Sequence, residues 1–310
     1  MNRRAEARGE TSRSMPSQPQ CRLRQSTPWL EGAQLDRNAM ARIRLHPAKA
    51  GAGIAFVRSD LPGQPTVRCV PENLQGMPRW TALAAEGVWV HHTEHVLAAL
   101  ALCDIDNALV EMDADRIPMM PGGTCAAFVA ALQRAGRTPA DAPRRVYRLK
   151  GPAFLLDPQN PSPPAPDSSP LQNGRYVMGV PADGFAVSTV FHWTHLEELP
   201  IGFAEYELRE AAPDPQLLAS RSYIVESEKA QMKELLGPVQ DNLMLLYPGC
   251  PTALSQEAAR HKIVDFIGDL MVLGRPVQGR FVAVRAGHRI HHEWVRYLLA
   301  NRLLELKELA

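Results

Sequence analysis

The segment Gln256–Leu273 constrains this chain more than any other. It reads QEAARHKIVDFIGDLMVL and is followed by Gly274 and Pro276, a helical pattern with its stop signal. His261, Asp265 and Asp269 fall at i, i+4 and i+8, which stacks them on one face. Around them lie Ile263, Val264, Phe266, Ile267, Leu270 and Met271. An imidazole and two carboxylates buried without partners cost several kcal/mol or more. The fold must therefore bring partners, solvent or a cation to this face. A His–Asp hydrogen bond near solvent would satisfy that demand. So would a metal ion reached from adjacent turns by a His and an Asp at i, i+4.

A second polar group opens another apolar helix. His91-His92-Thr93-Glu94-His95 follows a short strand, Val88–Val90, and Thr93 is the expected N-cap of a helix over Glu94–Leu102. Histidines there can cap the helix or lie on the surface. A Glu beside a His also suits a base held next to a metal without ligating it. His91, Glu94 and His95 satisfy H-x-x-E-H as well, the inverted zinc-peptidase signature. Gly287-His288, just past a strand at Phe281–Arg285, is unremarkable alone.

Composition narrows the class. With 310 residues, 45% hydrophobic and 22% charged, the chain is globular and long enough for two domains. Lys and Arg number 34 against 33 for Asp and Glu, so the basic excess of a nucleic-acid binder is missing. No apolar run approaches the ~20 residues of a membrane span. Five cysteines without a CxxC pair argue against a disulfide framework or a cysteine zinc site, and for a reducing, cytoplasmic setting. Residues 1–26 carry six arginines, two glutamates and no apolar periodicity, which predicts a disordered basic tail. Glu6 and Glu10 count against a targeting segment.

Strands are expected at Met40–Leu45, Gly53–Val57 and Asn107–Met112, with a helix at Ala126–Ala135. Pro139 and Pro143 break the pattern across Thr138–Arg145, which sets a domain boundary there. The second half reads as strands at Val146–Lys150, Tyr176–Val180, Phe185–Phe191, Gly202–Leu208 and Phe281–Arg285. To these it adds an apolar run at Leu243–Tyr247, a short helix at Glu228–Leu236 and a C-terminal helix at Glu293–Leu306. Asp157–Gln172 is a Pro/Ser-rich loop, too long and polar to pack. Elements alternate in both halves, so the class is α/β or α+β.

Taken in order, these pieces carry a family resemblance. Thr93-Glu94-His95, Ile105-Asp106-Asn107-Ala108, Pro118 to Phe128, His261-Lys262-Ile263-Val264-Asp265-Phe266-Ile267-Gly268-Asp269 and Ala286-Gly287-His288 together resemble the UDP-3-O-acyl-N-acetylglucosamine deacetylases. Those are the zinc amidases that commit the lipid A pathway. The resemblance spans roughly residues 30–305 and includes Arg44-Leu45, Pro47-Ala48 and Phe56 to Leu61. It implies an α+β fold of two domains, 27–145 and 146–310, each a sheet covered on one face by helices, with the site between them. It implies zinc on His95, His261 and Asp265, although two histidines and a carboxylate suit iron(II) too. Glu94 would be the general base, His288 the proton donor, and Asp269 the group that orients it. Lys262 and Ser222 would serve the oxyanion and substrate. Tyr223 accompanies Ser222 where the family has Arg-Thr-Phe, and Arg175 and Trp193 fall near substrate contacts.

The implied substrate is a UDP-linked acylated amino sugar, whose lipid chain would bring the enzyme to the inner-membrane surface. A deacetylase of another acetylated amino sugar, or a non-catalytic binding paralogue, are the alternatives. Two departures stand out. The family turn G-x-x-L-H-x-G is here Gly32-Ala33-Gln34-Leu35-Asp36-Arg37-Asn38, without its His. The acyl-binding insert near 224–247 is compressed, with Gly237-Pro238-Val239-Gln240 at its turn, so a shortened acyl passage is expected.

Overall fold

Period-two alternation buries Ala41, Ile43 and Leu45 on one face of Met40–Pro47, and Phe185, Val187, Thr189 and Phe191 on one face of Phe185–Phe191. Around such strands the computed structural model describes residues 18–157, 174–193, 196, 198–208, 212–236 and 242–309. Of the Pro/Ser-rich loop, residues 158–172 lie outside the described residues, as does the turn 237–240.

The first half runs β1 (Pro19–Leu23), β2 (Leu30–Ala33), β3 (Met40–Pro47), β4 (Ile54–Arg58), β5 (Thr66–Arg68), β6 (Leu74–Gln75), β7 (Ala82–Ala85) and β8 (Val88–His91). Then come α1 (Glu94–Leu102), β9 (Ala108–Met112), α2 (Ala126–Ala135) and β10 (Arg137–Pro143). One five-stranded sheet has the order β2-β3-β9-β4-β5, parallel only between β4 and β9. The small meander β6-β7-β8 ends at His91 and delivers the chain into α1.

The second half continues with β11 (Arg145–Leu149), β12 (Ala153–Leu156), β13 (Tyr176–Val180), β14 (Phe185–Phe191), β15 (Gly202–Leu208) and α3 (Pro215–Leu218). It proceeds through β16 (Tyr223–Val225), α4 (Lys229–Leu236), β17 (Met244–Leu246), α5 (Thr252–Leu270), β18 (Val277–Val284), α6 (His288–Ala300) and β19 (Leu304–Glu308). In its seven-stranded sheet β18 is central, flanked by β13 and β11 on one side and β14 on the other. The class is α+β. No described helix is long and apolar enough to cross a membrane.

Helix α5 lies over β14 and β15 and meets α1 on its other side. The contact is close because Gly268 has no side chain: a Cβ there would stand 2.0 Å from the carbonyl oxygen of Glu94. The compressed insert still folds as a βαβ unit. β16 and β17 pair in parallel and α4 connects them, with Ile224 and Met232 buried against Leu35, Leu243 and Leu245.

Three expectations need correction. The tail does not reach residue 26, because Pro19–Leu23 is a strand paired with β10. Leu23 is buried, and Gln20 Oε1 accepts from Gly51 N–H and Asn107 Nδ2–H, each at 2.8 Å. Polar and proline neighbours hide this short apolar period. Thr138–Arg145 is not a break, since among the described residues β10 pairs with β1 alone and an edge strand tolerates Pro139 and Pro143. The last helix begins at His288, where a run of histidines masks its apolar face, and it ends at Ala300. Left-handed Arg302 (φ 53°) then turns the chain into β19, which pairs with β11. The two ends of the described residues meet around Arg144. Gln18 N–H donates to Leu309 O at 3.1 Å, Leu309 N–H to Arg144 O at 2.9 Å, and Arg144 N–H to Gln18 O at 2.7 Å.

If β1 is part of the core, Leu23→Ala should cost about 2–5 kcal/mol of unfolding free energy. Urea denaturation checks this, and an unchanged midpoint would place the strand outside the cooperative fold.

Candidate metal centre

Thr93 stands at the N-cap of α1, but its hydroxyl caps nothing and reaches the Thr81 carbonyl instead, at 3.3 Å. The first two residues of the helix, Glu94 and His95, face α5 across the Gly268 contact. His261, Lys262, Asp265 and Asp269 come from α5, and His288 opens α6.

His95 Nε2 and His261 Nε2 each lie 3.4 Å from Asp265 Oδ1, and the ligand atoms of these three residues fall within 4.8 Å of one another. The two imidazoles meet edge to face at 5.0 Å. His261 Nδ1–H donates to the Ser220 carbonyl at 3.1 Å, which leaves Nε2 as the bare nitrogen. Burial holds His261 neutral, lowering its pKa to about 4 against the pull of Asp265. Asp265 Oδ1 is buried with no hydrogen-bond partner. Two imidazole nitrogens converging on an unpartnered carboxylate oxygen form a donor set that fits zinc or iron(II).

The other oxygen of Asp265 accepts from Lys262 Nζ at 2.9 Å. Burial would raise this carboxyl, but Lys262, His261 and His288 hold it well below its usual range. Lys262 in turn sits 5.3 Å over the Tyr223 ring. Burial alone would lower His288. Asp269, which accepts from His288 Nδ1–H at 2.9 Å, and Asp265 overcome that and raise its pKa to about 9. His288 is thus an imidazolium whose Nε2 lies 3.6 Å from Asp265 Oδ2. Glu94 is buried, and its Oε2 accepts from the Thr81 amide at 2.9 Å. Ser222 Oγ lies 2.8 Å from His261 Nε2 and 3.3 Å from the Gly123 carbonyl.

These groups line a cavity of about 250 Å³. Its polar end holds Glu94, His95, His261, Lys262, Asp265 and His288. An apolar branch leads away past Leu35, Met119, Ile224, Met232 and Leu243. Trp193, Ser222 and Tyr223 also line it. Arg175 does not. Its charge falls beside Arg285, and its carbonyl accepts from Asp157 N–H. His91 stays outside the donor set as well, accepting from Trp80 Nε1–H at 3.2 Å and stacking on Trp89. Sequence reasoning missed Thr81, His291 and His292. The two histidines lie at i+3 and i+4 from His288, a spacing that places them beside it on α6.

Comparison with known proteins identifies the family. Residues 23–300 match the family model described as UDP-3-O-acyl N-acetylglycosamine deacetylase. The chain belongs to this family. A relative from Phenylobacterium zucineum, named UDP-3-O-acyl-N-acetylglucosamine deacetylase, is 32% identical over 87% of this chain and 90% of its own length. Proteins of the same name from Myxococcus xanthus and Thermosynechococcus vestitus are each 28% identical. They match 88% of this chain and 84% and 91% of their own lengths.

The buried histidines make stability depend on pH in a defined direction. His91, His261 and His292 are each held at about 4, burial being the main cause. An unfolded histidine titrates near ~6.5. As pH falls from there toward about 4, the unfolded chain binds protons first and stability drops. His288, at about 9 in the fold, contributes fully below ~6.5 and loses that contribution as pH rises through 9. Thermal denaturation in chelator should therefore peak near pH ~6.5, with the acid side steeper because several buried histidines act there, His291 among them, against His288 alone on the other. A melting temperature still rising at pH 9 would contradict the buried charge on His288.

Proposed function

We propose that this chain is a zinc-dependent hydrolase that removes acetate from UDP-3-O-acyl-N-acetylglucosamine, the committed step of lipid A biosynthesis. The observation that carries this reading is the unpartnered Asp265 Oδ1 beside the Nε2 atoms of His95 and His261, with Glu94 and the His288 imidazolium next to it. The names of the relatives supply the substrate. We place the work between the halves 27–145 and 146–310, in the cytoplasm, with the lipid chain of the substrate drawing the enzyme to the inner-membrane surface.

His95, His261 and Asp265 hold the metal, which when bound supplies Lewis acidity to the acetamide carbonyl. Glu94 takes the proton of the attacking water. The Thr81 amide fixes its Oε2, which leaves Oε1 as the accepting atom. Lys262 and Ser222 face the same space and stabilise negative charge as it grows on the acetamide oxygen. His288 delivers its Nε2 proton to the departing amine, and Asp269 keeps the ring oriented and charged until then. The apolar branch at Leu35, Ile224, Met232 and Leu243 takes the acyl chain. Tyr223 and Trp193 bind along the rest of the cavity wall, while Arg175 is left without a part in it.

The test joins metal analysis to acetate release. Purified protein should hold about one zinc per chain, lost in His95→Ala and in Asp265→Ala. Glu94→Gln should keep the metal and lose rate by ~10²–10⁴-fold on the UDP-linked substrate. Turnover of a free acetylated amino sugar in preference to the UDP-linked one would reassign the substrate. Loss of metal in Glu94→Gln would make Glu94 a ligand and overturn the division of roles.

A further inference from the structure

Thr81 immediately precedes β7, is fully buried and does not line the cavity. It nevertheless touches both ends of the proton path. Its amide donates to Glu94 Oε2 at 2.9 Å, and its carbonyl accepts from Thr93 N–H at 3.1 Å, tying down the start of α1. Its hydroxyl donates to Asp269 Oδ1 in a short contact. His292 Nε2 lies 2.8 Å from the same hydroxyl oxygen.

Counting protons fixes every direction in this cluster. Asp269 is held far below the usual carboxylate range, burial notwithstanding, by His288 and His291, so it only accepts. Oδ2 takes Nδ1–H of His288 at 2.9 Å and Nδ1–H of His291 at 2.7 Å. Oδ1 takes the single proton of the Thr81 hydroxyl, so His292 must donate through Nε2–H. His292 Nδ1 and His291 Nε2 are both buried without partners, which leaves both rings neutral.

We propose that Thr81 is a positioning residue that fixes the general base and the proton donor relative to one another, with His292 setting the direction of its hydroxyl. The proposal rests on the hydrolytic reading above. Through its amide Thr81 aims Glu94, and through its hydroxyl it holds Asp269 and hence the ring plane of His288. The base comes from α1 and the donor from α6, and the residue that spans them belongs to neither helix. A valine would fill the same space but leave Asp269 Oδ1 and His292 Nε2–H unpaired.

Thr81→Val keeps the amide on Glu94 and removes only the hydroxyl. Zinc-loaded Thr81→Val should lose kcat by ~10–10²-fold, the usual scale for a group that orients a catalytic one. KM should stay within about threefold, as for a group that acts only in the transition state, and metal content should be unchanged. Thr81→Ser should recover most of the rate. Added to Asp269→Asn, Thr81→Val should cost little more, because both act through one carboxylate. Nitrogen NMR of 15N-histidine-labelled wild type should show His292 protonated on Nε2 and His291 on Nδ1. A fully active Thr81→Val, full additivity with Asp269→Asn, or reversed tautomers would each overturn the proposal. Should Thr81→Val fail to fold, the serine variant and the tautomers decide. Wild type that releases no acetate would sink the hydrolytic reading instead, while the tautomers still report on the hydrogen-bond directions.

Discussion

The bare Cα of Gly268 is where the two helices of the site touch. A Cβ at that position would stand 2.0 Å from the carbonyl oxygen of Glu94, against a backbone atom that cannot swing aside. Ordinary contact would force α1 and α5 apart by more than an ångström. His95 rides on α1 while His261 and Asp265 ride on α5, so the separation of the helices is also the separation of the candidate metal donors. Glu94 and Asp269 flank the same contact. Displacements of about 1 Å are enough to cost large factors in rate. One absent methyl group therefore sets the geometry of the whole centre.

The charges gathered here show why the site is buried without being unstable. Asp265, Asp269 and Glu94 face Lys262 and His288, with Lys262 at 2.9 Å from Asp265 and His288 at 2.9 Å from Asp269. The two ionised aspartates balance the two cations, so a divalent ion would leave the pocket attractive to an oxyanion. His261, His291 and His292 stay neutral at no electrostatic cost because burial disfavours their charged forms. The polar centre is thus balanced for a cation to tip.

What could be read from sequence followed how local the physics is. Period two located β13, β14 and β15 to the residue, and the stacked His261, Asp265 and Asp269 marked α5 as the helix with something to bind. β1 and β10 escaped notice because their pairing, not their composition, makes them strands. The start of α6 was hidden by polar histidines whose partner, Asp269, lies on another helix. Thr81 carries no local signal, since a threonine beside a strand is ordinary until Glu94, Asp269 and His292 arrive around it. Arg175 shows the converse. A position aligned through a long loop does not bring its side chain into the cavity.

The clasp of Gln18, Arg144 and Leu309 joins residues from almost opposite ends of the described chain. Closing so long a loop adds only slowly to the entropy cost, so the clasp is thermodynamically affordable. It is nevertheless the kind of non-local contact that waits for the rest of the chain. A contact of that range is expected to form late in folding and to open early. None of its three residues lines the cavity that holds His95, His261 and Asp265. With the clasp open the candidate metal donors can stay together, which separates fraying of the molecule from loss of its chemistry.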